Sequence, residues 1–402
     1  MSLELSKKAL AVKPSSTLAI SAKAKELRSK GKDVVGFGAG EPDFNTPENI
    51  CAAAIKAVET GFTKYTPASG TQELKEAVSK KFRDMNNLDY APNQIVISNG
   101  AKHSLTNAFA AILNAGDEVI IPAPYWLSYP EIVKLSDGVP VIVRGSKENS
   151  YKIRREDLDK VWTEKTKALV INTPCNPTGM VYTRMELEDI AAWAVEKDIY
   201  VISDEIYEFL VYSGQEHVSI GSLNEEIFKR TITINGLSKG YAMTGWRIGF
   251  TGSSETIAKV MSSVQSHQTS NPNSIAQKAA YEAITGDQAA VAQMREAFNE
   301  RRKFIYKRAQ SIPHLSAVEP LGAFYLFVDC SEMIGMSYKG KKIESAADVA
   351  AILLDEYLVA VVPCADFGFD DHFRLSYAIS MEQINKGMDR IEEFAGKLLA
   401  NE

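Results

Sequence analysis

Residues Lys167–Glu208 read KALVINTPCNPTGMVYTRMELEDIAAWAVEKDIYVISDEIYE, and the pattern changes twice along them. KALVIN (Lys167–Asn172) is a short, mostly apolar β run, followed by a turn carrying Asn176, Pro177 and Gly179. RMELEDIAAWAVEK (Arg184–Lys197) is helical in character, and IYVIS (Ile199–Ser203) is a second β run. Further runs of the same kind lie on both sides: QIVIS, EVIIP and PVIVR before the segment, RTITIN and RIGFTG after it. Helical stretches such as LTNAFAAIL (Leu105–Leu113) separate several of them. The strands are continuous in their apolar character rather than alternating, as expected where helices cover both sheet faces. The order predicts βαβ units and an α/β fold: a mostly parallel seven-stranded sheet flanked by helices.

From about residue 290 the character shifts. A charged helical run, QMREAFNERRKFIYKRAQ (Gln293–Gln310), precedes the separated β runs GAFYLFVD, LVAVVP and HFRLSYA and a closing helix, NKGMDRIEEFAGKLL. This predicts a smaller α+β domain over 290–402, a large domain over 44–289, and an arm over 1–43 that contributes to the small one. Within the arm, an extended stretch leads to a helix capped by Ser15, Ser16 or Thr17 and stopped at Gly31.

With 402 residues, of which 45% are hydrophobic, the chain has enough apolar material for such a core. A formal net charge of −6 and the lack of a basic patch argue against nucleic-acid or membrane-surface partners. Cys51, Cys175, Cys330 and Cys364 are far apart and show no metal-ligand spacing, so neither disulfides nor a metal site are expected. The opening MSLELSKKALAVKP is charged throughout, unlike a signal peptide, and no apolar run approaches the roughly 20 residues that span a bilayer. A soluble, cytoplasmic protein is expected.

Four segments place unusual residues just after a strand, where ligands bind in open parallel sheets. After IVIS the turn Asn99-Gly100-Ala101-Lys102 opens a helix, and small residues there let an anion approach backbone amides. An ordinary strand-to-helix turn would look the same. Asn176 follows KALVIN and offers an amide, although Asn, Pro and Gly also make simple turns. Asp204 ends a buried strand and needs a cationic partner unless it merely caps a helix, and Tyr207 lies one turn further on. Lys239 follows RTITIN with Ser238 beside it and Arg247 eight residues on. A lysine in a dry crevice near other cations becomes a nucleophilic amine, whereas most lysines are simply solvated.

The run SKGYAMTGWR (Ser238–Arg247) resembles the cofactor-lysine signature of the class I aminotransferases, pyridoxal-phosphate enzymes of the aspartate aminotransferase fold. GAGEPDF, KYTPASG, SNGAKHSL, PYWLSYP, NTPCNPTG, SDEIYE, SKGYAMTGWRIGF, GAFYLF and HFRLSYA follow the family's order over almost the whole chain. The chain is most similar to the bacterial branch with a lysine in the phosphate turn. The resemblance implies pyridoxal 5'-phosphate held by Lys239 as a Schiff base. It implies Asp204 as partner of the ring nitrogen, Tyr207 and Asn176 at the ring oxygen, and Trp126 against the ring face. Phosphate contacts are implied for Gly100, Ala101, Ser238 and Arg247, and for Tyr65 reaching over from the second subunit of a homodimer.

For the substrate, the resemblance implies Arg374 and the Gly40 backbone at the α-carboxylate. Another branch binds the side-chain carboxylate with an arginine from the segment reading here MSSVQSHQTSNPNSIAQ (Met261–Gln277), which contains none. Lys102 takes that part in the branch resembled here, with Thr17 assisting, and Lys13 corresponds to a residue associated with prephenate. Gly236 stands where other members have a phosphate-binding serine, and Tyr129 where some have a histidine behind Asp204. The expected reaction is ping-pong transamination between amino acids and 2-oxo acids, with aspartate and 2-oxoglutarate as the pair. An aromatic or prephenate aminotransferase, a carbon–sulfur β-lyase and a non-enzymatic cofactor-binding regulator are the alternatives.

Overall fold

The computed structural model describes residues 3–399. Seven strands form the main sheet: β1 (Ile95–Ser98), β2 (Glu118–Ala123), β3 (Val139–Arg144), β4 (Thr166–Asn172), β5 (Tyr200–Asp204), β6 (Thr231–Gly236) and β7 (Gly249–Gly252). Their spatial order is β1-β7-β6-β5-β4-β2-β3, with β7 antiparallel to both neighbours and the other pairings parallel. The reversal has a simple cause. No helix carries the chain back after β6, so it returns from the edge at which β6 ended, and parallel pairing requires a crossover. Lys239 and Arg247 are thereby both left at the carboxyl edge of the sheet.

The flanking helices used below are α1 (Ser16–Ser29), α2 (Gln72–Asn86), α3 (Ala101–Ile112), α4 (Ser128–Leu135), α5 (Arg184–Glu196), α6 (Glu255–Gln268), α7 (Ala289–Ser311) and α8 (Met381–Ala395). One apolar layer joins β-strand residues Val96, Val119, Ile121, Val170 and Ile202 to α3, α4 and α6. The opposite layer joins Ile120, Leu169, Ile171 and Val201 to the buried face of α5. Both faces are covered over the central strands, which accounts for their continuous apolar runs, while the edge strand β3 leaves Val139 and Ile142 exposed.

A second, antiparallel sheet has the order β10-β11-β9-β8, where β8 is Ser316–Ala317, β9 Tyr325–Asp329, β10 Val362–Pro363 and β11 His372–Ser376. Phe327 pairs with Arg374 in its register. The buried residues of α8, Ile384, Met388, Ile391 and Phe394, repeat at helical spacing. Val35–Gly36 pairs in parallel with Val359–Ala360, joining the early chain to this part of the molecule. The stretch before α1 is not wholly extended: Lys7–Leu10 makes one helical turn because the Ser6 hydroxyl accepts from the Ala9 amide. No helix among the described residues is long and apolar enough to cross a membrane.

Candidate active site

A cavity of about 520 Å³ opens at the carboxyl edge of the main sheet, the size of a typical small-molecule site. Its floor comes from the strand ends and its far wall from the second sheet. Ala101, Lys102 and Trp126 reach it from the turns after β1 and β2. Asn176, Asp204, Tyr207, Ser238, Lys239 and Arg247 come from the turns after β4, β5 and β6. Gly40, Thr17 and Arg374 complete the wall. Gly100 stands directly behind, at the start of α3. Tyr65 is 92% exposed on this chain, away from the cavity lining. Lys13 lines a separate groove, its backbone N–H donating to Glu131 at 3.1 Å.

Asp204 is almost fully buried, and its carboxylate accepts from the Tyr129 hydroxyl (2.6 Å) and the Ile206 amide (3.3 Å). Burial pushes it up to about 6; the Tyr129 bond, the Ile206 amide and the Lys239 charge hold it back, while Glu205 adds to the rise. Burial likewise brings Lys239 down to about 8, with Arg374 and Arg247 lowering it and Glu41 and Asp204 opposing. Its ammonium donates to the Gly40 carbonyl at 2.5 Å. A lysine depressed to that level is partly a free amine near neutral pH, as a nucleophile must be.

The anion end is built by close backbone approach. Gly100 has φ +88°, and a Cβ there would collide with the Arg247 guanidinium. A Cβ on Gly249 would strike the Gly100–Ala101 backbone. Arg247 itself sits at φ +58°, unusual for a residue other than glycine and held by bonds from its guanidinium to the Thr244 (2.9 Å) and Asn99 (3.4 Å) carbonyls. A guanidinium beside a helix N-terminus suits a phosphate. Gly236 is too closely packed for the serine expected from the family resemblance: a Cβ would lie 2.9 Å from the Ile248 carbonyl oxygen and 3.2 Å from the Ile206 side chain.

Arg374 is 2% exposed, with its guanidinium carbon 4.3 Å from the Tyr325 ring centroid. It donates to Asn176 Oδ1 (2.8 Å) and the Gly38 carbonyl (3.2 Å), and its Nε has no partner. A buried cation with an unused donor fits a carboxylate ligand. Lys102 has no ion-pair partner among the described residues; it lies 4.8 Å from the Trp126 ring centroid, its pKa lowered by burial and by Arg247. A buried acid wanting a cation, a partly free amine and a glycine-lined anion turn together fit pyridoxal phosphate.

Two contributors went unread in the sequence. Tyr325 hydrogen-bonds through its hydroxyl to that of Tyr207 (2.9 Å) while covering Arg374. Asn172 donates to the Asp204 carbonyl (2.9 Å) and accepts from the Asn176 amide (2.9 Å). Asn172 had a signal, as a polar residue ending an apolar strand; Tyr325 had only its place in GAFYLF.

A partly free amine and a buried acid lining one cavity at the strand ends suit a transaminase that works through a carbonyl cofactor. The family described as aminotransferase class I and II matches residues 32–391. An aspartate aminotransferase of Bacillus sp. (strain YM-2) is 51% identical over 381 residues, 95% of this chain and 96% of the relative. That of Bacillus subtilis (strain 168) is 48% identical, covering 98% and 100%. The crystal structure of the aspartate aminotransferase from Rhizobium meliloti superposes with a TM-score of 0.96 at 38% identity, covering 99% of this chain and 100% of that one. The Thermus thermophilus aspartate aminotransferase with maleate gives 0.92 at 43%, covering 98% and 100%. The chain belongs to the class I and II aminotransferases and is a transaminase, and that family implies pyridoxal phosphate.

Proposed function

We propose that this transaminase moves the amino group of aspartate to 2-oxoglutarate, yielding oxaloacetate and glutamate. The observation that carries the reading is a pair of cations, Arg374 and Lys102, lining one cavity with Lys239. A dicarboxylic amino acid presents two anions, and each cation has donor capacity left for one. Arg374 would grip the α-carboxylate together with the Gly40 backbone, and Lys102, assisted by Thr17, the side-chain carboxylate. The relatives named aspartate aminotransferase support the same pair.

The chemistry that pyridoxal phosphate supplies in this cavity is an electron sink for the bond broken at the amino acid's α-carbon. Asp204 would keep the ring nitrogen protonated, with Tyr207 and Asn176 donating to the ring oxygen and Trp126 against the ring face. Arg247, Ser238 and the Gly100–Ala101 turn would hold the phosphate. Lys239 would hold the cofactor through its amine and, once displaced by the substrate's amine, would be the general base that takes the proton from the substrate's Cα. Return of the enzyme to its starting form requires a second 2-oxo acid, so the kinetics are ping-pong.

The active protein would be a cytoplasmic homodimer. The exposure of Tyr65, and of Leu5, Leu10 and Leu18 on the arm, supports coverage by a second copy that brings Tyr65 to the partner's phosphate. The free cysteines agree with a reducing compartment.

A panel of amino donors with 2-oxoglutarate tests the substrate. Aspartate should give the highest kcat/KM, and phenylalanine exceeding it would reject the assignment. Pyruvate released from cystathionine without a 2-oxo acid would mark a β-lyase instead.

A further inference from the structure

Asp204 and Tyr207 line the cavity, and the residues that follow each of them, Glu205 and Glu208, are buried on the other side of the same turn. Buried carboxylates are costly unless paired and hydrogen-bonded. Glu205, 0% exposed, accepts from the hydroxyls of Ser203 (2.8 Å) and Ser219 (2.6 Å) and pairs with His217 Nε2 at 2.9 Å. Glu208 pairs with Lys81 of α2 and accepts from Asn86 (2.8 Å). Asn86 also donates to Ser219 (3.0 Å) and accepts from Lys81 (2.9 Å), closing one continuous network. Ligand atoms of Glu205, Glu208 and His217 lie within 4.8 Å of one another, a spacing that suits a cation. The carboxylate oxygens are already engaged by Ser203, Ser219, Asn86 and Lys81, and His217 Nδ1 alone is left without a partner, so the cluster is a hydrogen-bonded ion network.

We propose that Glu205 is a positioning residue for Asp204: held by Ser203, His217 and Ser219, its carboxylate fixes the Asp204–Tyr207 turn and sets a second acid beside Asp204. The backbone joins the two acids, so the side chain anchored behind the turn determines where the one in front points. The charge is felt in Asp204, whose raised pKa includes a contribution from Glu205 after that of burial. The titratable groups facing Asp204 are Tyr129 of α4, Cys175 of the turn after β4, Tyr207, Glu205 and Lys239. Those facing Glu205 are Tyr90, His217 and Asp204, with Glu208 and Lys81 beyond Ser219 and Asn86. This inference rests on Asp204 being the partner of the cofactor's ring nitrogen.

The test is pyridoxal phosphate binding to the apoprotein, followed by protein fluorescence from about pH 5 to 8, for the parent, Glu205→Gln and Glu205→Asp. Binding needs ionised Asp204, so affinity falls as pH drops through the pKa of that group. Removing the neighbouring negative charge lowers that pKa. The acid limb of Glu205→Gln should therefore move to lower pH by roughly half a unit or more, while Glu205→Asp follows the parent. Three results overturn the proposal: a Gln variant weakened in parallel with an unmoved limb, an Asp variant displaced as far as the Gln variant, or a Gln apoprotein that has lost its native circular dichroism. A parent chain that takes up no pyridoxal phosphate at any pH would instead refute the proposed function, a separate and recognisable outcome.

Discussion

Removing the Lys102 ammonium should divide substrates by whether they carry a second carboxylate. Lys102 lines the cavity, rests on the Trp126 ring and has no acidic partner among the described residues, so its charge is uncompensated until a ligand arrives. Burial and Arg247 already disfavour the charged form, so the incoming anion gains from a cation that water solvates poorly. One charge-assisted hydrogen bond contributes about 1.5–3 kcal/mol, which corresponds to roughly 10- to 150-fold in rate at saturation-independent kcat/KM. The assay has to isolate the donor half-reaction, because 2-oxoglutarate also has a distal carboxylate. The holoenzyme is mixed with amino acid alone and the change in cofactor absorbance is followed. For Lys102→Ala, kcat/KM with aspartate should fall by roughly 10- to 150-fold and with leucine by less than about threefold. Lys102→Met, which keeps the apolar stem against Trp126, should behave alike. Equal losses for the two donors in both variants would refute the reasoning.

Arg374→Lys should behave differently, lowering kcat/KM for aspartate and leucine together by at least about 30-fold, since a lysine replaces neither the fork nor the stacking on Tyr325; a loss confined to aspartate would contradict the α-carboxylate role. Lys239, lowered to about 8, is the nucleophile only when neutral. The rate at which apoprotein captures pyridoxal phosphate into a visible-absorbing form should rise about tenfold per pH unit below 8 and level off above it, with no such form in Lys239→Ala. A rate independent of pH over that range would rule this out. Mixing Lys239→Ala with Tyr65→Ala should regenerate one intact site per mixed dimer and recover tight cofactor binding; no recovery would mean that Tyr65 does not cross between subunits.

Continuous apolar character made the seven strands readable; in the central ones residues such as Leu169, Val170 and Ile171 are buried on both sheet faces, whereas in the edge strand β3 Val139 and Ile142 are exposed. Charged or polar residues at strand ends made Asp204, Asn176 and Lys239 readable, since such residues interrupt an apolar pattern where topology puts ligands. The direction of β7 was not readable in the same way. Its apolar run looks like the others, and the reversal follows from the missing crossover helix, a property of the connection. Tyr325 was hidden for a different reason. In YLFVD every residue is buried, and nothing in the pattern shows that one hydroxyl meets Tyr207 where the two sheets converge. The Glu205 network was equally hidden, since Lys81, Asn86 and Ser219 are remote in sequence from the acids they serve.

The two cations of the cavity are supported in opposite ways, and the contrast matches what each is proposed to bind. Arg374 is clamped by Tyr325, Asn176 and the Gly38 carbonyl, and clamping a cation in advance spares the entropy of ordering it at binding. That suits the α-carboxylate, which every amino acid presents at the same distance from its amine. The clamp is also joined to the acid end of the site: Asn176 accepts from Arg374, its backbone donates to Asn172, and Asn172 donates to the Asp204 carbonyl. A carboxylate seated on Arg374 would therefore be referenced, through two asparagines, to the acid proposed for the ring nitrogen. Lys102 has no such ties beyond the face of Trp126, so its flexible stem can follow a distal carboxylate on one or two methylenes. Aspartate and glutamate differ by one methylene, and a reaction that must accept one and release the other needs a fixed grip at the shared end and a movable one at the end that changes.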